Sequence, residues 1–171
     1  MFYYAEQYST YFYLNVLPMW QSINNGNWKS VESTVRRLAS LGGDLDVWTG
    51  GIDTLRLEGR QIHLARDKKN NSKWLVPVPK LLFKLVQNRG KNEALAFVTA
   101  NNPYLDDGKS LPNDYKICKE YAVCGEKFPN FKKAFEGYTY CCRHEDFFKS
   151  NKVRALKLPV DLGNAKPMTL H

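Results

Sequence analysis

Tyr13-Leu14-Asn15-Val16-Leu17-Pro18-Met19-Trp20-Gln21-Ser22-Ile23-Asn24-Asn25-Gly26-Asn27-Trp28-Lys29-Ser30-Val31-Glu32 is the stretch from which the rest of the chain can be read. Residues 2–17 are rich in aromatic and β-branched side chains, the composition of a strand, and Pro18 ends it. Ser22 to Asn27 is turn chemistry and a good place for a helix to begin. From Asn27 onward Trp28, Val31, Val35, Leu38 and Ala39 recur at helical spacing until Gly42-Gly43, which predicts a helix closed by glycine. That helix carries Trp28, Glu32 and Arg36 in one column, four residues apart. Strand, polar loop and amphipathic helix therefore follow one another within thirty or so residues.

The 171 residues suit one domain with a real core. Hydrophobic residues at 43%, charged at 25% and aromatic at 13% are globular values that exclude disorder, collagen and coiled coil. No apolar run approaches the roughly 18 residues of a membrane span, and the mean hydropathy is −0.49. No membrane partner is expected. The 25 Lys and Arg against 17 Asp and Glu give a net +8, a balance that favours a polyanionic partner. Arg36, Arg37, Arg56, Arg60, Lys68, Lys69 and Lys73 are surface candidates for it.

All four cysteines, Cys118, Cys124, Cys141 and Cys142, lie in the last third. Their spacing lacks the paired arms of a structural zinc site, so it reads as a disulfide framework made in an oxidising compartment. Adjacent residues on an extended segment point to opposite faces, so Cys141 and Cys142 should reach different partners. Asn70-Asn71-Ser72 is a glycosylation sequon, in keeping with secretion. The opening Met1-Phe2-Tyr3-Tyr4-Ala5-Glu6 has none of the regions of a signal peptide, so the chain reads as a mature form, a fragment or a late start.

Short strands are predicted over 45–49 before Gly50-Gly51, and over 61–65, 73–78, 81–86 and 94–99. Pro77 and Pro79 confine their segment to an edge or a strand entrance. Residues 101–113 read as a loop, 114–136 as weakly helical, and 159–171 as an irregular tail. The expected class is α+β, a mostly antiparallel sheet with few helices.

The quoted stretch resembles the DNA/RNA non-specific endonucleases of the ββα-metal (His-Me finger) class, whose signature runs Asn, Pro-Gln, Asn-x-Gly-x-Trp and Glu on a strand, loop and helix. Asn15, Asn24, Gly26, Trp28 and Glu32 fall at that family's spacings, Arg36 falls where it usually has an arginine, and Met19 replaces its glutamine. Val47-Trp48-Thr49-Gly50-Gly51, Val78-Pro79-Lys80 and Asn101-Asn102-Pro103 extend the resemblance, and Tyr138 to Cys142 ahead of Asp146-Phe147-Phe148 is similar to the secreted arthropod branch. It covers nearly the whole chain, with residues 1–158 as the C-terminal part of a nuclease domain.

The resemblance implies a divalent-metal-dependent endonuclease that hydrolyses phosphodiester bonds in DNA and RNA, double-stranded RNA included, as a secreted and typically dimeric protein. It implies Asn24 as the protein ligand of Mg2+ or another divalent ion such as Mn2+, Glu32 holding metal-bound water, Asn15 orienting site or substrate, and Arg36 meeting phosphate. From the residues alone, Asn24 and Asn25 read as helix caps. Glu32 and Arg36 are readable as a surface pair worth about 0.3–0.5 kcal/mol. Trp28 reads as core. The family's Asp-Arg-Gly-His motif, whose histidine activates water, has no counterpart around His63, His144 or His171, so the fold is expected to be N-terminally incomplete. That leaves a catalytically inactive, nucleic-acid-binding relative as the alternative.

Overall fold

A computed structural model describes residues 16–42, 44–107 and 110–170. Asn15, most of the expected first strand and His171 lie outside the described residues.

The helix forms as the apolar spacing predicts, but it begins earlier. A short turn, α1 (Gln21–Ile23), leads through the wider turn Asn24–Trp28 into α2 (Lys29–Gly42). Ile23, Trp28, Val31, Thr34 and Leu38 form its buried stripe. The start is displaced because the helical path is interrupted, not initiated, at Gly26, whose backbone (φ −92°, ψ −122°) leaves the helical region. The cap expected at Asn24 or Asn25 is not made: Trp20 occupies the N-cap, without a side-chain hydrogen bond. At the other end Asn88 donates its amide to the Gly42 carbonyl, 3.1 Å.

Six strands follow to residue 88: β1 (Leu45–Thr54), β2 (Arg56–Leu57), β3 (Arg60–Gln61), β4 (His63–Arg66), β5 (Trp74–Pro77) and β6 (Pro79–Asn88). After them come β7 (Glu93–Ala100), helix α3 (Ala122–Lys127), β8 (Thr139–Arg143), helices α4 (His144–Lys149) and α5 (Asn151–Arg154), and β9 (Lys166–Pro167). The main sheet has the order β1-β6-β7-β8, antiparallel throughout, with β9 joining β7 in parallel. β1 runs through Gly50-Gly51, where the sequence suggested a stop. These glycines serve close approach rather than a turn: a Cβ on Gly51 would stand 2.6 Å from the Pro79 ring. Asp53 takes a positive φ of +56° near the end of β1, while the register with β6 is the same on either side of it (Ile52↔Leu81, Thr54↔Pro79).

Side chains alternate between the two faces of this sheet, and each face has its own core. Leu81, Phe83 and Leu85 of β6 with Ala94, Ala96 and Val98 of β7 meet Phe147 of α4 and Val153 of α5. Val86, Leu95 and Phe97 point the other way, onto Val31 and Leu38 of α2. The cysteines straddle the two layers. Cys142 bonds Cys118 on the first face and Cys141 bonds Cys124 on the second, the separate partners that strand alternation predicts. Residues 159–170 are mostly irregular, yet Leu162 and Ala165 complete the first core and Met168 and Leu170 the second. The protein is thus α+β with a mostly antiparallel sheet and few helices. Among the described residues, no helix is long and apolar enough to cross a membrane.

Between Leu55 and Val78 the chain leaves the sheet as an arm made of two small ribbons, β2 with β3 and β4 with β5. Its root is closed by hydrogen bonds from Leu55 N to Val78 O and from Ile62 N to Leu55 O. The sequon Asn70-Asn71-Ser72 is exposed at the β4–β5 turn.

His144 is buried at the start of α4, its Nδ1 without a hydrogen-bond partner among the described residues. Burial holds the imidazole below its ordinary 6.5, against the opposing pull of Glu145 and Asp146. A histidine depressed in the folded state contributes stability above its unfolded pKa and loses it on acidification. Thermal midpoints should therefore fall between about pH 7 and 5, and His144→Gln should flatten that part of the profile. An unchanged slope in the variant would assign the decline to other groups.

Candidate active site

The loop leading into α1 is held by one buried amide. Asn101, at the end of β7, donates to the carbonyls of Pro18 (3.0 Å) and Pro79 (2.9 Å) and accepts from the Trp20 amide at 3.3 Å. Because Asn101 is fully buried, these bonds fix residues 18–20 over the β1–β6 hairpin. A second buried amide, Asn27, donates to the carbonyls of Gly137 (2.8 Å) and Asn130 (3.0 Å), while its backbone amide donates to Glu136 O at 2.8 Å. Gly26 permits that contact, since a Cβ there would stand 2.7 Å from Glu136 O. The two asparagines together set the loop and the helix start at a fixed distance above the sheet.

Between them opens a cleft of about 460 Å³ lined by Leu17, Met19, Asn24, Trp28, Glu32 and Thr49, among others. Asn24 and Glu32, eight residues apart, are brought into one lining. The Asn24 side chain is exposed, and Glu32 is partly so at 37%. Arg36, one turn beyond, lies outside the lining; its guanidinium is 3.8 Å from the Glu32 carboxylate and 74% exposed. Trp28 is only 3% exposed and packs on Ile23 and Leu82, as its place in the apolar stripe predicts.

Beneath the helix stands a residue that sequence reasoning passed over. Lys84 of β6 donates from Nζ to Thr49 Oγ1 across the hairpin at 2.9 Å, and its ammonium lies 5.0 Å from the centre of the Trp28 ring. Burial pushes the ammonium's pKa down; the Glu32 carboxylate raises it, and Arg36 lowers it further. Its signal in the sequence is faint. Lys84 is the sole charge in the run Leu81-Leu82-Phe83-Lys84-Leu85-Val86, at a position whose neighbours two residues away face α2. Neither described histidine lines the cleft: His63 sits in the arm and His144 at the start of α4.

The donors in the cleft have a clear preference. Among the described residues there is no group of three or more His, Cys, Asp or Glu side chains able to hold a metal. What the cleft offers is an amide oxygen from Asn24 and a carboxylate from Glu32, both hard oxygens, with open volume for water. Such a set is poor for zinc and fits a hard ion that keeps most of its hydration shell, as magnesium does.

Comparison with known proteins identifies the family. Residues 2–147 match the family described as DNA/RNA non-specific endonuclease. The chain is similar to the "Salivary endonuclease" of Lutzomyia longipalpis, 35% identical over 164 residues that cover 93% of this chain and 37% of that protein. It is similar also to "Salivary protein Tsal1" of Glossina morsitans morsitans, 29% identical with coverages of 94% and 39%. "Salivary protein Tsal2A" of the same fly is 31% identical, with 89% and 37%. The chain thus spans little more than a third of the length of these relatives. No solved structure matches it.

Proposed function

Because the chain belongs to the DNA/RNA non-specific endonuclease family, we propose that its cleft holds a hydrated divalent cation, Mg2+ or Mn2+, against a phosphodiester of DNA or RNA and serves its hydrolysis. The observation that carries this reading is the meeting of Asn24 and Glu32 in one open cleft, two of whose lining residues, Thr49 and Trp28, contact the partly buried ammonium of Lys84. A cation held there would polarise the scissile phosphate and steady the charge that develops on the leaving oxygen.

The chain's own groups divide the remaining work. The Asn24 amide oxygen is the ligand, neutral and hard, so it leaves the ion's charge unspent. Glu32 orients water by accepting its hydrogen bonds, with the exposed Arg36 guanidinium 3.8 Å from its carboxylate. Arg36 retains outward donors for phosphate. Lys84, outside the lining but with one proton engaged by the lining residue Thr49, adds positive charge behind the cleft wall, where partial burial makes it count for more than it would in water. Asn15 orients site or substrate. Hydrolysis needs, in addition, a group to accept a proton from the attacking water, a contribution of roughly 10²–10⁴-fold. Among the described residues the cleft supplies binding and charge rather than that base. The two disulfides and the salivary relatives support a secreted protein.

The test is nicking of supercoiled plasmid and of double-stranded RNA by the oxidised chain, in magnesium and in EDTA, beside Glu32→Gln. Cutting should require the metal and fall about 10–100-fold in the variant, the usual cost of losing a group that positions a metal's water. Equal cutting in EDTA, or an unaffected Glu32→Gln protein, would overturn the reading. Salt-dependent binding without any cutting, in a folded protein, would make this a nucleic-acid-binding relative instead.

A further inference from the structure

Half of the net charge of +8 falls between residues 55 and 78, where Arg56, Arg60, Arg66, Lys68, Lys69 and Lys73 stand against Glu58 and Asp67. The two ribbons of the arm fold these residues around a second cleft, of about 650 Å³, lined by Arg56, Arg60, Gln61, His63, Arg66 and Trp74. All three arginines are exposed, and none is ion-paired among the described residues. Trp74 is 49% exposed. The Arg66 guanidinium sits 3.9 Å from the centre of its ring, and the His63 imidazole stacks on it at 5.6 Å with the ring planes 28° apart. His63 Nδ1 is buried there without a hydrogen-bond partner among the described residues.

A set of planar cations free of ion pairs, beside an exposed aromatic, matches a strand of alternating phosphates and bases. Its placement suits that ligand as well. Leu17, on the wall of the first cleft, lies against the Gly51–Pro79 level of the hairpin, and the arm begins at Leu55, four residues on and just past the end of β1. At about 3.3 Å per residue that is roughly 13 Å, close to four nucleotides of duplex rise at about 3.4 Å each.

We propose that the arm of residues 55–78 is a second nucleic-acid site, in which Arg56, Arg60 and Arg66 take the phosphates of a strand leaving the first cleft and the Trp74 assembly stacks a base. The site rests on the nuclease reading for its ligand. It implies a grip that depends on substrate length: short pieces occupy only the first cleft and long ones also engage the arm.

The experiment compares the wild-type chain with Arg56→Gln/Arg60→Gln/Arg66→Gln and with Trp74→Ala. Binding of a fluorescent 20-nucleotide single strand, the matching duplex and a tetranucleotide is followed across a salt series, with heparin as competitor and thermal melts as the folding check. The triple variant should lose at least about tenfold in affinity for the 20-mers, with a salt slope shallower by about 2–3. Trp74→Ala should weaken the single strand by roughly 5–100-fold. The tetranucleotide should bind all three proteins alike.

Unchanged 20-mer affinity and slope in the triple variant would overturn the arm site and leave the nuclease reading intact. Equal loss of the tetranucleotide would overturn it too, by showing that the changes act on the first cleft. Loss of heparin binding alone would assign the arm to a glycan. A wild-type chain that binds the 20-mers through the arm and cuts nothing in magnesium would overturn the nuclease reading and keep the arm. One that binds no nucleic acid would overturn both.

Discussion

Asn24→Ala is expected to abolish magnesium-dependent cleavage, on the order of 10³-fold or more, while leaving the fold untouched. The loss is large because no neighbouring side chain duplicates the amide. Glu32 reaches the cleft from two turns further on, and the described lining contains no other carboxylate. Removing one preorganised group at a developing charge commonly costs 10²–10³-fold, and here the group would anchor the ion that does the stabilising. The fold should not notice, since the Asn24 side chain is exposed and forms no cap. An exposed substitution of this kind moves stability by about 0.5 kcal/mol at most, or about 2 °C in Tm for a chain of this size. Manganese binding followed by electron paramagnetic resonance separates the steps: the variant should bind the ion much more weakly and melt like the wild type. Retained metal-dependent cutting would remove Asn24 from the site.

The opposite signature is expected two residues away. Gly26→Val should leave the chemistry's residues in place on paper and destabilise the protein by about 3–5 kcal/mol. A side chain at Gly26 would meet Glu136 O at 2.7 Å and Glu136 Cβ at 2.8 Å, so the 134–139 segment must retreat. Overpacking of this sort costs about 1–3 kcal/mol. The retreat also breaks hydrogen bonds that Asn27 makes to Glu136 and Gly137, at roughly 1 kcal/mol each and more if a buried group is left unpaired. Urea denaturation would measure it directly. Gly26→Ala should shift the midpoint in the same direction by less, and an unshifted midpoint in the alanine protein would show that the loop yields freely.

These two residues are neighbours in a motif, and the close approach at Gly26 could not be read without coordinates. Local chemistry offered capping for Asn24, and the resemblance offered metal binding; the absence of a cap bond removes the first. The apolar stripe of α2 was legible because its period is written in consecutive turns of one helix. The divergent reach of Cys141 and Cys142 was legible for the same reason, strand alternation being a local property. Lys84 was not legible, since a lysine in a strand reads as solvent-facing until the register pairs it with Thr49 and α2 covers it. Asn101 was visible only as a motif match; that it ties Pro18 and Trp20 to the hairpin depends on contacts more than eighty residues apart. Gly50-Gly51 misled because glycine pairs usually mark turns, whereas here the requirement comes from the facing strand. The arm was divided among separate basic residues, and pairing across its ribbons is what gathers Arg56 and Trp74 about one cleft.

The adjacent cysteines of β8 make oxidation a proofreading step for the sheet. To exchange their partners, β8 would have to slip one residue along β7, which turns the strand over and sends Tyr140 from one core into the other. Each native bond is thus a covalent record that the strand settled the right way round. A chain oxidised before β8 docks would be held inside out until thiol exchange released it. Catalysed disulfide exchange would then do more than speed maturation: it would decide which molecules end with both layers closed.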